Sequence, residues 1–326
     1  PGRGTFPSMT ATRYREHTPP AVLAPFVDCI WTLRSQAPLD APVRKRVLPD
    51  GCVDIIFDFG QHSARATTEP RLRSYLVGAM TRAVTVDQAG RVDMLAVRFR
   101  PGGASAFLRV PLGEVTDHAV DVDALGARWG APASRIHAAD SAEERMALLE
   151  QELLHRLRNA EDVDGTAAHA WSRLEQTAGG LSVRQMAGEM GLGERRLQRL
   201  FHDHVGLSPK EAARVARFRT AIAHMLRTPN RPLGRIALDA GYYDQPHFNR
   251  EFARMAGVAP AVSRARRSAA SPGPNQPPRR RGPGRRDARP NARRRRRRST
   301  RRPAGRQARA ARARPVRRRP TSEARP

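Results

Sequence analysis

Two stretches of the chain, residues 181–209 and 231–260, carry the same spacing of small, apolar and glycine residues, and nothing else limits the fold as tightly. Ala187 and Gly191 recur fifty residues later as Ala237 and Gly241. Leu197, Arg199, Phe201, Gly206 and Pro209 recur fifty-one residues later as Phe248, Arg250, Phe252, Gly257 and Pro260. One inserted residue in the turn after Gly241 accounts for the change of register. A repeat of this period is one supersecondary unit used twice.

Each unit reads as helix–turn–helix. Ser182 is an N-cap with Gln185 at the capping-box position, and Val183, Met186, Ala187 and Met190 form an apolar face. Small Ala187 lets the next helix approach, and Gly191 ends the first helix in a tight turn. The second helix, about 194–204, turns Leu197, Leu200 and Phe201 inward and Arg195, Arg196, Gln198 and Arg199 outward. In the second unit Ile236, Ala237 and Ala240 take the inward role before Gly241. Asp244 is the expected N-cap, and Pro246 falls in the first turn, where its missing N–H costs nothing. Phe248, Phe252 and Met255 then face in, while Gln245, His247, Asn249 and Arg250 face out. Between the units, Ser208-Pro209-Lys210-Glu211 is a helix start. That helix is expected to run to about Arg227, before Pro229, as a rigid spacer.

These residues resemble the DNA-binding domain of AraC/XylS-type bacterial transcription regulators. The likeness is carried by Ile236-Ala237, Gly241-Tyr242, His247-Phe248-Asn249-Arg250-Glu251-Phe252, Gly257 and Pro260, with Ser208-Pro209-Lys210, Arg217-Phe218 and Ala221 in the joining helix. It covers roughly residues 166–264. Ala212 stands where the family usually has an aromatic, and Gly193 where a hydroxyl cap is common. The resemblance implies that Arg195, Arg196, Gln198 and Arg199 of the first unit, and Gln245, His247, Asn249 and Arg250 of the second, touch bases or nearby phosphates. Arginine suits guanine and glutamine suits adenine in the major groove. The resemblance also implies double-stranded operator DNA and RNA polymerase as partners.

Residues 1–164 are near neutral and β-rich at first. Strand-like runs lie at 26–33, 53–59, 75–77, 84–86 and 94–99, with a Pro49-Asp50-Gly51 turn. After Pro101-Gly102-Gly103 a helix is expected through Ala106-Phe107-Leu108. Ser141 and Glu144 open another, over 141–158, with Met146, Leu149, Leu153 and Leu157 on its apolar side. Segments 47–55 and 98–103 are similar to an uncharacterised domain that precedes AraC-type DNA-binding domains. That likeness implies a cupin-like barrel or sandwich acting as a sensor for an unknown small-molecule effector. Asp50 and Asp54 are weak ligand candidates, turn chemistry being the simpler account of Asp50. Cys29 and Cys52 read as small buried hydrophobes rather than a redox pair. The 146–157 stripe fits a homodimer contact, a coupling of the two domains, or packing on its own sheet.

The expected architecture is α+β in two domains. A disordered N-terminus spans 1–12, a sensor domain 13–160, a linker 161–166, and an all-α DNA-binding domain with two helix–turn–helix units 167–264. A disordered Arg-rich tail spans 265–326. The formal net charge is +28, and residues 265–326 hold 24 basic against 2 acidic residues, with Val316 their only large apolar side chain. Such a segment cannot offset its chain entropy by burial. It reads as a phosphate-binding arm, or as GC-rich DNA translated out of frame. The first option supports an alternative function, non-specific DNA compaction driven by the tail. The double unit itself carries 15 basic and 8 acidic residues over 165–264.

Other classes find no support. Phosphate-binding glycine loops, HExxH and CxxC pairs are missing, and two cysteines cannot ligate the zinc of an alkyl-transfer repair enzyme. The expectation is therefore no enzyme, no cofactor and no metal. No run of about 18 apolar residues suggests a membrane span, and no signal peptide is seen, so a cytoplasmic, nucleoid-associated protein is expected, with Met9 as its first residue.

Overall fold

A computed structural model describes residues 12–60, 62–65, 73–125, 127–160 and 165–268. The disorder expected at 1–12 and 265–326 falls outside these residues, except that Thr12 opens a strand and residues 265–268 close a helix. Most of the 161–166 linker also lies outside them.

The first half builds two antiparallel sheets. One has the order β1-β2-β8-β4-β6-β9, from Thr12–His17, Val27–Ser35, Asp93–Phe99, Val53–Asp58, Ser74–Val77 and Ala119–Asp121. The other has the order β3-β7-β5, from Leu39–Val47, Val84–Gly90 and His62–Arg65. Period-two alternation divides the larger sheet's residues between two cores. Ile30, Ile55, Phe57, Leu95, Val97 and Phe99 face the helices, while Cys29, Trp31, Leu33, Met94 and Ala96 pack with Leu39 of the smaller sheet. The second core also buries charge. Arg98 Nε lies 3.2 Å from Asp54 Oδ1, to which Trp31 Nε1 donates at 2.8 Å. Burial drives the Asp54 carboxyl above its ordinary range, with Arg98 opposing the shift.

The helix expected after Pro101 does not form. Only short 3-10 turns appear, at Ala104–Ala106 and Leu112–Val115, separated by Pro111. Phe107, Leu108 and Leu112 are buried nonetheless, so their apolar run reflects core packing rather than helix. The first helix is α1, Ala127–Ala138, with Pro132 inside it. Proline has no N–H for the carbonyl four residues back. That carbonyl, on Arg128, instead accepts from the Arg156 guanidinium of α2, Ala142–Arg158. The same guanidinium lies 4.0 Å over the Trp129 ring and 2.7 Å from Glu152. Ser141 caps α2 by accepting from Glu144 N at 3.1 Å, as its sequence implies.

Helix α3, Thr166–Gln176, leads into the duplicated region: α4 Val183–Glu189, α5 Glu194–Val205, α6 Pro209–Arg227, α7 Leu233–Asp239, α8 Gln245–Ala256 and α9 Pro260–Ser268. The capping boxes expected at Ser182 with Gln185 and at Ser208 with Glu211 form. The one expected at Ser141 with Glu144 forms only its first half, because the Glu144 carboxylate accepts from Asp140 N at 3.1 Å instead of from Ser141 N. The helical region is seated on the β-rich one. Trp171 of α3 lies against Gly51, where a Cβ would come within 2.1 Å of its ring, so only glycine fits the Pro49-Asp50-Gly51 turn. Asp50 is occupied within that turn, accepting from Cys52 N at 2.9 Å. Cys29 and Cys52 are free and buried, and burial pushes both thiols up.

Candidate nucleic-acid interface

Both units turn on a left-handed glycine. Gly191 has φ +65° and Gly241 φ +80°, a region in which a Cβ is strained. The following amides fold back, Leu192 N to Ala187 O and Tyr242 N to Ala237 O, each at 2.9 Å. These 6→1 bonds explain why the small Ala187 and Ala237 repeat together with the glycines. Each turn then launches the longer helix, α5 or α8, over a core of Leu197 and Phe201 or Phe248 and Phe252, all fully buried.

Arg195, Arg196, Gln198 and Arg199 are all exposed on α5. At 3.6 residues per turn, Arg195, Gln198 and Arg199 share one stripe, and Arg196 lies to its side. On α8, Gln245, Asn249 and Arg250 are exposed. The repeat register pairs Gln198 with Asn249 and Arg199 with Arg250, so equivalent places carry side chains of equivalent chemistry.

His247 departs from its expected outward pose. It is half-buried, its ring edge-on to Tyr242 with centroids 5.4 Å apart and Nε2 3.7 Å from Glu251 Oε2. Its Nδ1 accepts from Tyr243 N at 3.4 Å. The inserted residue after Gly241 explains the difference, because it brings Tyr242 and Tyr243 over the start of α8. Tyr243 is 87% exposed beside that helix start, and Asp244 caps it by accepting from His247 N at 2.6 Å. The cap of α5 is Gly193, which offers no side-chain acceptor.

Sequence reasoning did not single out the carboxylate that holds α8. Glu251 is buried, with Arg214 Nε at 3.3 Å, Arg217 Nη1 at 3.6 Å and Arg254 Nη2 at 3.3 Å. Arg214 and Arg217 come from α6, so this carboxylate fastens α8 to the joining helix. Arg217 also donates to Gly179 O at 2.9 Å and lies 5.5 Å from the Tyr242 ring centre. Only its place inside the quoted 247–252 run hinted at this role, since an acidic residue at a helix position reads as solvated.

Away from the double unit, a cleft of about 540 Å³ lies between β1–β2 and α2, its walls including Arg13, Arg15, His17, Thr32, Glu143 and Met146. Among the described residues, no three His, Cys, Asp or Glu side chains gather to hold a metal, and no helix is long and apolar enough to cross a membrane.

A duplicated helix–turn–helix with two exposed polar stripes defines a DNA-binding protein. Residues 186–266 match the model of a helix-turn-helix domain, and residues 15–121 match that of a domain of unknown function (DUF6597). More particularly, the chain carries the helix-turn-helix domain of AraC-type transcription regulators behind that uncharacterised domain. No curated protein matches. Among solved structures, the C-terminal domain of AraT, a response regulator from Geobacillus stearothermophilus, is similar at 21% identity, over 32% of this chain and 88% of that one, with a TM-score of 0.31. ToxT from Vibrio cholerae is similar at 9% identity, over 72% of this chain and 97% of that one, with a TM-score of 0.40. ToxT with bound unsaturated fatty acid is similar at 12% identity, over 72% and 94%, with a TM-score of 0.38.

Proposed function

We propose that this chain is a sequence-specific transcription regulator that reads two adjacent major grooves, one with α5 and one with α8, under the control of an effector held by residues 13–160. The observation that carries the reading is the pair of exposed stripes, Arg195/Gln198/Arg199 and Gln245/Asn249/Arg250, on two copies of one scaffold. A second helix of this kind enters the major groove and presents its first turns to base edges. Two such helices in one chain should protect two half-sites about 10 bp apart on one face of the duplex. Footprinting on DNA selected from a random pool tests this, and protection confined to a single groove refutes it. The compaction alternative is tested in the same assay. If removal of residues 269–326 abolishes all binding, the tail and not the double unit is the DNA-binding part.

The support for an effector is the cleft beside α2. Arg13 and Arg15 line its strand wall, and neither has a carboxylate within 4.0 Å among the described residues, while Glu143 and Glu150 stand on the helix wall. Such walls suit a small organic anion with a neutral or cationic far end. A thermal-shift screen of carboxylates and phosphates against the full chain, repeated with Arg13→Ala/Arg15→Ala, measures it. A ligand whose shift survives the double substitution binds elsewhere.

A further inference from the structure

The β-rich domain reaches the C-terminal end of each of the two helices α5 and α8. A helix leaves its last four carbonyls without partners of its own. At the end of α5, the Thr116 hydroxyl donates to the Gly206 carbonyl. The 3-10 turn Leu112–Val115 lies beneath that end. A Cβ on Gly113 would stand 2.2 Å from His202 Nε2, and one on Gly206 would stand 2.9 Å from Leu112 O. At the end of α8, Ala83 N donates to Met255 O at 2.7 Å.

These two arms belong to one piece. Asp117 accepts from Thr81 N at 2.7 Å and from Thr81 Oγ1 at 2.6 Å. Its own amide donates to Ala79 O at 3.0 Å, and Gly78 N donates to His118 O at 3.0 Å. To make these bonds Asp117 adopts φ +62°, a left-handed conformation that few non-glycine residues hold. Segments 78–83 and 112–118 are thus stapled together, with one hydrogen-bond donor aimed at α5 and another at α8.

We infer that this stapled pair of loops is a calliper that fixes the separation of α5 and α8, with Asp117, Thr81 and Thr116 as positioning residues for DNA reading. The inference rests on the two-groove reading above and adds what sets its pitch. Helix α6, about 28 Å long at 1.5 Å per residue, joins the units as a strut to which Glu251 fastens α8. A second tie, made at the far ends of α5 and α8, closes the frame and limits bending of that strut. The N-terminal turns that carry Arg195 and Gln245 stay uncovered, so the calliper and DNA do not compete for the same surface.

The test uses the full chain and duplexes that it selects from a random pool, rebuilt with one base pair added or removed between the half-sites. Each such change turns one half-site about 35° around the axis relative to the other. The wild type is expected to lose about tenfold in Kd at the altered spacing, and Asp117→Ala or Thr116→Val to flatten that penalty to about twofold. Asp117→Asn, which keeps an acceptor for Thr81 N and tolerates positive φ, should restore most of the selectivity. Variants that weaken all spacings equally, or retain the wild-type penalty, overturn the calliper while the two-groove reading stands. Spin labels at Arg196→Cys and Asn249→Cys in DNA-free protein decide the matter independently, because Cys29 and Cys52 are buried. A narrow inter-label distance that broadens with Asp117→Ala supports the calliper even if no DNA is selected, in which case the two-groove reading is what fails. An unchanged distribution overturns it.

Discussion

Glu251 shows how much of the proposed interface depends on a residue buried beneath it. Its carboxylate gathers two arginines of α6 and one of its own helix, so neutralising it leaves those charges without their common partner. Glu251→Gln should cost about 1–3 kcal/mol of stability, read as a lower midpoint in urea, with weaker DNA binding following from the loosened helix. By contrast, Arg195→Ala or Arg250→Ala should leave the midpoint within about 0.5 kcal/mol and cost about 1–3 kcal/mol of binding at a single base pair. A loss equal across all sequences would make that arginine a phosphate contact. A third expectation concerns acid. Burial, with help from Arg73 and Arg145, holds the His137 imidazole below its ordinary 6.5, beside Phe59 and with Nε2 2.8 Å from Ser74 Oγ. The unfolded chain then binds that proton more readily than the folded one. Stability contributed by neutral His137 is therefore complete above pH 6.5 and declines as pH falls towards the folded value. Melting temperatures taken from pH 7.5 to 5 should fall, and His137→Gln should flatten that slope. The exposed stripes were legible because helical period alone assigns them. His247 was not, because its pose depends on Tyr242 and Glu251, neighbours created only by tertiary packing.

At the scale of elements, legibility followed local signals. Ser182, Ser208 and Asp244 cap helices where their sequence contexts say they should, since a cap needs only its own first turn. Ser208→Ala should cost about 1 kcal/mol, read by chemical denaturation. Helix α1 escaped notice because Gly130 and Pro132 interrupt it, and what repairs it is Arg156, distant in sequence. Arg156→Ala removes the donor to the Arg128 carbonyl and uncovers Trp129. It should destabilise the chain by about 1–3 kcal/mol, with Trp129 fluorescence shifting to the red. Strands β1 and β3 were missed for the opposite reason. Their alternate residues, such as Arg13, Arg15 and Arg44, are exposed edge-like positions, and too few apolar residues mark the pattern.

For the whole molecule, the sequence separates two regions by composition, whereas the structure joins them through one continuous core that runs from the sheet past Trp171 to the double unit. That junction was hidden because it uses glycines, Gly51 and Gly113, whose role is to let another region come close. Trp171→Ala should open it, measured as faster proteolysis near residues 160–166 with the circular dichroism of both regions retained. The two units themselves follow one another head to tail along the chain, and their stripes are alike but not identical, Arg-Gln-Arg on one and Gln-Asn-Arg on the other. Under the two-groove reading, a single chain therefore has polarity on its binding site. A site turned end for end presents its halves in the wrong order, and the protein must reverse with it, carrying its β-rich domain to the other side. Promoter orientation, and not only promoter affinity, becomes information that one copy of this chain can register.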